Sequence, residues 1–277
     1  MMEMKGKGTV AFLLSFSLLF LGKSLCTPSS ASCQNLEGPF LVRRVIDGDT
    51  IVLEGGRRLR YLGINTTERG EPFWKEAKDY NARMVEGKSV TLEFEQGKED
   101  KYGRILAYLF VGGKMANVQL LKAGLAHLFV LEPIRYYPYF RKLQEEARAK
   151  RIGIWGEGGF KGPLKITRLN ADAEGDDRYN LNGEYVRICN ISPQDVNTKG
   201  FSLCDREGHT YIFPRAILRP GYTLLLFTGK GRDILQGVSQ LQLYWGSDYP
   251  IWNNKGDIGY LKDPWGRLID TFVYKGH

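Results

Sequence analysis

The sequence predicts a mainly β protein with a few helices, in which a small closed barrel is followed by an immunoglobulin-like β-sandwich. Two observations predict this class. Short runs rich in valine, isoleucine and leucine alternate with Asp-Gly, Gly-Gly and Asn-Gly turns along the chain. Helical periodicity is confined to the part before residue 156, and only strand-like runs follow from about residue 164.

The N-terminus has the layout of a secretory signal peptide. Lys5 and Lys7 precede the run TVAFLLSFSLLFLG, which is too short to span the roughly 30 Å apolar core of a bilayer as a helix. The small-residue stretch TPSSASC follows this run. We therefore expect residues 1–33 to be removed and the protein to be secreted or exported, to the periplasm or outside the cell. A lipid-anchored form is the alternative, although the residues before Cys26 and Cys33 fit a bacterial lipobox poorly.

The composition is that of a globular protein with a basic surface. The 277 residues are 43% hydrophobic and carry a net charge of +8, which excludes the disordered and fibrous classes. This charge favours polyanionic partners such as nucleic acid but does not establish one. The length suggests two domains, and the glycine-rich segment 156–162 separates them. We expect the first domain over residues 38–157 and the second over residues 164–277, with no transmembrane helix in either.

The first domain is predicted to contain five strands with helices inserted late. The strand-like runs are FLVRRVI, DTIVLE, RRLRYLGI, KSVTLEFE and YGRILAYLFVGG. The segment EPFWKEAKDYNARMVEG is predicted to be a helix, with Pro72 in its first turn and Trp74, Ala77, Ala82 and Val85 facing inward. KMANVQLLKAGL and YFRKLQEEARAKRIGIW are the other two helices. Because helices do not alternate with every strand, we expect a closed antiparallel barrel with helices packed on it.

The second domain is predicted to be a sandwich of about seven strands. The runs are LKITRLNA, GEYVRICN, GFSLCD, TYIFP, YTLLLFTG, DIGYLKD and LIDTFVY. Cys189 and Cys204 fall on the outward phase of neighbouring runs, so they form either a disulfide or two separate thiols. Trp245, Trp252 and Trp265 are predicted to fill the core of the sandwich.

Acidic and basic residues gather at the predicted turns and strand ends of one barrel rim. The residues that we expect there are Asp49, Arg60, Asn65, Thr66, Glu68, Lys101, Tyr102 and Arg104. Oxygen ligands select a hard cation, Ca²⁺ or Mg²⁺, over zinc, while guanidiniums bind phosphate oxygens and stabilise a five-coordinate transition state. A carboxylate beside a water can accept its proton or hold it in line. Together these groups supply what phosphodiester hydrolysis needs.

Five motifs resemble the thermonuclease (staphylococcal nuclease-like) family. IDGDT, RLRYLGINTTE, DKYGRILAYLF, LLKAGLA and EEARAKRIGIW occur in this order across about residues 39–156. The resemblance implies a five-stranded OB-fold barrel with helices and Ca²⁺-dependent cleavage of DNA and RNA. It also implies that Asp49 is a metal ligand and that Thr66 offers its main-chain carbonyl to the ion. Asn65 stands where the family usually has a second aspartate ligand, so one negative charge is lost and weaker calcium affinity is expected.

The same resemblance implies the catalytic roles. Arg60 and Arg104 match the phosphate-binding catalytic arginines, and Glu68 matches the glutamate that orients or deprotonates the water. Lys101 and Tyr102 would contact a terminal phosphate. The sequence thus predicts an exported Ca²⁺-dependent endonuclease acting on DNA and RNA. Two alternatives stay open, a catalytically impaired nucleic-acid-binding barrel and a surface interaction protein in which the sandwich carries the function.

The distal half resembles the lamin-tail domain over about residues 164–277. The segments NGEYVRICN, FPRAILRPG, LLLFTGKG and LYWGSDYPIWNNKGDIGYLKDPWGRLIDTFVY carry this resemblance. It implies an immunoglobulin-like sandwich that binds DNA, the cell envelope or another protein, but the fold does not choose among them. The aromatic stretch RYYPYFRK at residues 135–142 either stacks on bases or packs against the barrel.

Overall fold

The computed structural model describes residues 36–95, 97 and 99–276. The predicted signal peptide over residues 1–33 lies outside these ranges, as do Cys26 and Cys33. The described residues form one compact unit, which contains both predicted domains. Within the described ranges, no helix is long and apolar enough to cross a bilayer.

Eight strands and three helices make up the first half of this unit. The strands are β1 (Leu36–Val45), β2 (Thr50–Leu53), β3 (Arg58–Tyr61), β4 (Ile64–Thr66), β5 (Ser89–Glu93), β6 (Ile105–Val111), β7 (Lys114–Met115) and β8 (Ala126–Leu128). The helices are α1 (Trp74–Val85), α2 (Ala116–Lys122) and α3 (Tyr137–Ala149). The first two helices lie within the predicted segments, whereas α3 begins two residues earlier than predicted and ends at Ala149, before a short 3-10 turn at Gly153–Trp155.

Five of the strands close into a barrel. In the order β3-β2-β1-β5-β6 each strand pairs antiparallel with the next, and β3 then pairs parallel with β6, which closes the sheet. Ile51, Leu59, Leu92 and Leu109 come from four of these strands and are fully buried inside. The predicted class, a five-stranded barrel with helices, is confirmed, and the parallel pair is what closes it.

Helix α1 packs on the barrel through a narrow face. Ala77 and Val85 are fully buried as predicted, whereas Trp74 and Ala82 are only partly buried. The third fully buried position on this face is the polar residue Asn81. The apolar pattern of the helix therefore gives the correct face but does not reveal the polar contact at its centre.

The aromatic stretch before and within α3 is accounted for by packing at two of its positions. The Tyr136 ring stacks on Phe140 with centroids 5.9 Å apart, and its hydroxyl donates to Glu93 at 2.8 Å. The Tyr137 hydroxyl donates to the Pro220 carbonyl at 2.9 Å. The sequence left base stacking and packing as alternatives for this stretch, and packing explains the positions of both tyrosines.

Ten strands form the second half. They are β9 (Leu164–Asn170), β10 (Tyr185–Asn190), β11 (Val196–Asn197), β12 (Ser202–Cys204), β13 (Thr210–Ile212), β14 (Ile217–Leu218), β15 (Thr223–Phe227), β16 (Gln240–Tyr244), β17 (Asp257–Lys262) and β18 (Leu268–Tyr274). Two four-stranded sheets, β16-β15-β10-β9 and β13-β12-β17-β18, enclose a core that includes Val186, Leu203 and Leu243. The predicted sandwich is confirmed. Strand β16, which pairs parallel with β15, is absent from the sequence prediction.

The cysteines and tryptophans of this half test two sequence predictions. Cys189 and Cys204 are both buried free thiols on strands of different sheets, so of the two alternatives the separate thiols hold. Trp252 is buried and Trp245 packs beside it with centroids 6.3 Å apart, as predicted. Trp265, however, is 79% exposed, because it lies in the turn between β17 and β18 rather than on a core-facing strand.

The two halves pack directly against each other. The Val130 amide donates to the Gly221 carbonyl at 2.8 Å, which joins the end of β8 to the sandwich. From α3, Gln144 and Arg148 both donate to the Ile191 carbonyl, at 3.4 and 3.1 Å. The sandwich is therefore fixed beside the barrel, close to the rim where the sequence places the reactive residues.

Candidate active site

The turn between β1 and β2 carries two aspartates and is tightly packed. The Asp49 amide donates to Asp47 Oδ1 at 3.1 Å, and Asn81 Nδ2 donates to the Asp47 carbonyl at 3.2 Å. A Cβ on Gly48 would lie 2.7 Å from the Thr66 side chain, closer than real Cβ contacts. Glycine therefore lets the turn approach β4, and the buried Asn81 holds the turn from α1. Sequence reasoning missed Asn81, for which the only signal is a polar residue on an apolar helix face.

Asp49 is the centre of the first cluster. Its side chain is buried, with the residue 4% exposed. Oδ2 accepts hydrogen bonds from the Thr66 amide at 2.7 Å and forms an ion pair with Arg60 Nη2 at 3.0 Å. Oδ1 accepts from the Thr50 hydroxyl at 3.0 Å. The predicted residues of the turn, of β3 and of β4 are thus in direct contact.

Arg60 is buried and fully engaged in the same cluster. Nη1 donates to the carbonyls of Tyr61 and Ile64, at 2.7 and 2.8 Å. Nη2 donates to Asn65 Oδ1 at 2.7 Å while it also pairs with Asp49. One guanidinium nitrogen therefore marks a point at which a carboxylate oxygen and an amide oxygen converge.

The chemical types of these oxygens are those that a hard cation binds. Ca²⁺ prefers carboxylate, amide and main-chain carbonyl oxygens at about 2.3–2.6 Å. Asp49 and Asn65 supply the first two types, and the Thr66 carbonyl lies beside them, 3.0 Å from Asn65 Nδ2. The three groups are fewer than the roughly six to eight ligands that Ca²⁺ takes, so water or substrate must complete the set. Because Arg60 Nη2 contacts two of these oxygens, a cation and this nitrogen compete for them.

A buried histidine that sequence reasoning missed lies behind Asn65. Strand β4 pairs with β8 so that Asn65 faces His127, and Asn65 Nδ2 lies 3.3 Å from His127 Nε2. His127 Nδ1 lies 2.9 Å from the Leu128 carbonyl, which can only accept, so Nδ1 carries the proton and Nε2 accepts from Asn65. Burial lowers the pKa of His127 to about 4, so the ring is neutral. The amide at position 65 thus matches its surroundings.

The pKa values of two further carboxylates are raised beside this cluster. Burial, and then the charge of Asp49, raise the pKa of Asp47 to about 7, while Arg60 opposes the change. Glu68 lies on the loop after β4 and keeps an exposed surface. Partial desolvation of its carboxylate, and then the charge of Asp49, raise its pKa. Two hydrogen bonds close the loop. The Glu68 amide donates to Glu71 Oε2 at 2.7 Å, and the Glu71 amide donates to the Glu68 carbonyl at 2.9 Å. Glu68 is thus close to the cluster and better able to hold a proton than an ordinary glutamate.

The loop that carries Glu68 is attached to the sandwich. Glu71 Oε1 forms an ion pair with the buried Lys165, which also lies 3.9 Å from Asp270 Oδ2. A cleft of about 510 Å³ separates the segment Glu68–Pro72 from strand β18. The sandwich therefore forms one wall beside the predicted catalytic glutamate.

A second cluster occupies the loop before β6. Asp100 Oδ2 accepts from Arg104 Nε at 2.7 Å, and Asp100 Oδ1 accepts from the amides of Tyr102 and Arg104 at 2.9 and 3.0 Å. In the parallel pair of β3 and β6, Arg60 is opposite Leu106. Arg104 lies one residue before β6 begins, so this loop leads into the strand that pairs with β3.

The predicted site residues thus fall into two groups. Direct contacts join Asp49, Arg60, Asn65 and Thr66, and Glu68 joins them through its charge. Lys101, Tyr102 and Arg104 form the other group, and the described residues show no direct contact between the two.

One other cluster in the described part of the chain has the composition of a metal site. Asp205, Glu207 and His209 bring their ligand atoms within 4.8 Å of one another. Asp205 already accepts from the amides of Gly208 and His209, at 2.7 and 2.8 Å, and lies 2.6 Å from His209 Nδ1. These contacts stabilise a tight turn between β12 and β13, which accounts for the cluster without a metal.

Comparison with known proteins agrees with both halves of the fold. The family model described as Staphylococcal nuclease homologue matches residues 58–157, and the model described as Lamin Tail Domain matches residues 160–276. The endonuclease YncB of Bacillus subtilis (strain 168) is 38% identical over 146 residues, which cover 48% of this chain and 69% of that protein. The thermonuclease of Staphylococcus intermedius is 35% identical over 139 residues, covering 46% and 83%. The thermonuclease of Staphylococcus hyicus is 33% identical over 156 residues, covering 53% and 92%.

Both resemblances seen in the sequence are therefore confirmed. The matched relatives exceed 30% identity and are covered over more than two thirds of their own length. The matched segment contains Arg60, Asn65, Glu68 and Arg104, and it ends before the lamin-tail match begins. The chain belongs to the Staphylococcal nuclease homologue family and carries a lamin-tail domain after its nuclease barrel.

Proposed function

We propose that this protein is an exported, Ca²⁺-dependent endonuclease that hydrolyses phosphodiester bonds of DNA and RNA. Its family membership makes it a nuclease of the hydrolase class. The observation that supports calcium-dependent phosphodiester hydrolysis is the convergence of Asp49 and Asn65 oxygens on one nitrogen of Arg60. Oxygen ligands and a guanidinium at one point suit a calcium ion and the phosphate that it accompanies.

Asp49, Asn65 and the main-chain carbonyl of Thr66 would hold the cation. When bound, calcium offsets phosphate charge and helps to orient a water. Asn65 offers an amide in place of a second carboxylate, so we expect weak affinity. Extracellular modules bind calcium with Kd values of about 10⁻⁴–10⁻³ M, so weak affinity is compatible with an exported enzyme.

The side chains of the chain itself would perform the remaining steps. Arg60 exchanges its contacts with Asp49 and Asn65 for the phosphate oxygens, and Arg104 binds the same phosphate from the loop before β6. Glu68 orients the attacking water and accepts its proton on a carboxylate oxygen, a role to which its raised pKa is suited.

Lys101 and Tyr102 would receive a terminal phosphate at the edge of this site. Both residues are exposed on the loop before β6, and Lys101 Nζ lies 5.2 Å from the Tyr102 ring. Asp100 fixes the backbone of this loop through its contacts with Tyr102 and Arg104. A positive charge beside an aromatic face can contact both a phosphate and a base.

A nucleic-acid binder without catalytic activity is the second candidate. The observation in its favour is that the Arg60 guanidinium is buried and already donates to three oxygens of the protein besides its ion pair with Asp49. If these contacts are too stable to be exchanged, the barrel retains its basic surface and binds nucleic acid without cleaving it.

Incubation with circular single-stranded DNA and with circular RNA tests the proposal, because only an endonuclease can begin on a substrate without ends. We expect cleavage of both in calcium, none in EDTA, and losses of about 100-fold or more in Glu68→Gln and Arg104→Ala. Glu76→Gln, on the exposed face of α1, and Arg57→Ala, in a surface ion pair with Glu99, are the matched controls. Salt-sensitive binding without cleavage would instead establish the second candidate.

Export is tested separately by expressing the full chain and a chain without residues 1–33 in a bacterial host. We expect nuclease activity outside the cytoplasm only for the full chain. Equal retention of both chains in the cytoplasm would contradict export. Retention of the full chain in the membrane fraction would indicate the lipid-anchored alternative.

A further inference from the structure

An arginine of the sandwich lies beside the barrel without an acidic partner. Arg187 on β10 is half-buried, its Nε is buried without a hydrogen-bond partner, and its guanidinium makes no ion pair among the described residues. The guanidinium carbon lies 5.9 Å from the centroid of the Phe129 ring. The guanidinium carbon of Arg60 lies 6.0 Å from the same ring. A sandwich arginine and a predicted catalytic arginine therefore share one aromatic neighbour.

A second arginine lies directly opposite the first. Arg168 on β9 is the antiparallel partner of Arg187, and it is exposed. Like charges at directly opposite positions destabilise a sheet. Burial is the main cause that lowers the pKa of Arg187, and the charge of Arg168 acts in the same direction to a smaller extent. In the described part of the chain no carboxylate forms an ion pair with either guanidinium. The charge of Arg168 acts on Glu68 only by opposing the rise of its pKa. An anion between the two arginines would remove this repulsion.

Aromatic rings connect this pair to the loop before β6. The guanidinium carbon of Arg187 lies 5.7 Å from the Tyr185 ring, and Lys101 Nζ lies 5.3 Å from the same ring. The hydroxyl oxygens of Tyr185 and Tyr102 are 3.5 Å apart. We call Phe129, Arg187, Tyr185, Lys101 and Tyr102 the cation–aromatic strip. Tyr185 is buried and positions the two cations, while the exposed Lys101 and Tyr102 offer the charge and ring that bind single-stranded nucleic acid.

A purely structural role does not account for Arg187. Arg148, a structural arginine in the same interface, donates to the Ile191 carbonyl at 3.1 Å and stacks 4.7 Å from the Trp155 ring. Arg187 has two ring neighbours but no protein oxygen for its buried Nε. A desolvated guanidinium without an acceptor is costly, and a phosphate oxygen is the acceptor that it binds best.

We infer that the lamin-tail domain completes the substrate cleft, with Arg187 and Arg168 forming a subsite for a backbone phosphate next to the scissile one. The strip carries the strand from this subsite to Lys101 and Tyr102, so both halves of the chain bind one nucleic-acid strand. This inference rests on the proposed function for its substrate class. It assigns the sandwich a direct role in substrate binding, distinct from targeting or anchoring.

Salt dependence of binding tests the subsite without requiring hydrolysis. The full chain is titrated in EDTA against a fluorescent oligothymidylate of about 12 nucleotides over a series of salt concentrations. We expect Arg187→Gln and Arg168→Gln each to reduce the slope of log affinity against log salt by about 0.7, and the double variant by about 1.4. At moderate salt we expect about tenfold weaker binding for each single variant. Lys199→Gln and Arg215→Gln, which remove exposed sandwich charges, should retain the parent slope.

Two further readouts separate a binding role from a structural one. The melting temperature should not fall in Arg187→Gln, because relief of the repulsion with Arg168 offsets the loss of the two ring contacts. In calcium, KM for the oligonucleotide should rise about tenfold while kcat falls less than twofold. An unchanged salt slope in the double variant, or a loss equal to that of the two control variants, overturns the inference. Reduced binding in a chain that never cleaves supports the subsite and refutes only the proposed nuclease activity.

Discussion

Asp47→Asn should stabilise the protein at alkaline pH and leave it unchanged near pH 4. Burial and the charge of Asp49 make the ionised form of Asp47 unfavourable in the folded state and raise its pKa to about 7. The folded chain therefore binds this proton more tightly than the unfolded chain does, so stability is lost as pH rises from about 4 to about 7. Asparagine keeps the oxygen that accepts from the Asp49 amide and cannot ionise.

The size of the effect follows from the displacement of the pKa. A change of one in pKa corresponds to about 1.4 kcal/mol, so a change from 3.8 to about 7 sets an upper limit of about 4 kcal/mol. Asp49 shares the interaction and Arg60 opposes it, so we expect about 1–3 kcal/mol above pH 7.5.

Urea unfolding in EDTA between about pH 4 and pH 8 measures the effect. The free energy of unfolding of Asp47→Asn, relative to the parent chain, should rise through this range and level off above about pH 7.5. Glu54→Gln, an exposed carboxylate just after β2, is the matched control and should show no such trend. A difference that is independent of pH, or that shrinks as pH rises, would refute the electrostatic account of the turn.

Three other substitutions test separate parts of the site. Gly48→Ala places a methyl group against Thr66 and should cost about 1–3 kcal/mol in unfolding experiments; an unchanged melting temperature would contradict the close packing of the turn. Asn65→Asp should lower the calcium concentration for half-maximal hydrolysis, and a higher or unchanged requirement would mean that residue 65 is not a ligand. Lys165→Ala should lower both the melting temperature and kcat, because it leaves Glu71 and Asp270 without their cation beside the catalytic loop; replacing all three partners, as Lys165→Met with Glu71→Gln and Asp270→Asn, should restore the melting temperature. Failure of that restoration would show that the unpaired charges are not the cause.

The barrel and the first cluster are predictable from local sequence. Strand runs bounded by Asp-Gly and Gly-Gly turns fix the order of the hairpins, and this order places Asp49, Arg60 and Asn65 at one edge. Their mutual contacts confirm the predicted proximity. The roles that we assign to them stay a proposal, because proximity does not distinguish a ligand from a structural ion pair.

The contribution of the sandwich was not predictable, because it depends on contacts between elements far apart in the chain. Tyr185, Arg187 and Cys189 alternate along β10 and lie on the face away from the sandwich core, which is the outward phase predicted for Cys189. That face meets the barrel instead of water: Cys189 Sγ lies 4.0 Å from His127 Nδ1. The outward face of β10 is therefore buried against the barrel, which explains why Cys189 is buried. It also explains why the position of Arg187 beside the barrel cannot be recognised from the barrel sequence alone.

Calcium titration of hydrolysis in Asp49→Asn tests the central claim most directly. The control is Glu207→Gln, which alters the other cluster with the composition of a metal site. We predict that Asp49→Asn raises the calcium requirement by at least about tenfold or abolishes cleavage, with its circular dichroism spectrum preserved, while Glu207→Gln retains the parent titration curve. The reverse result, an unaltered curve in Asp49→Asn and a shifted one in Glu207→Gln, would contradict a catalytic calcium site at the barrel rim.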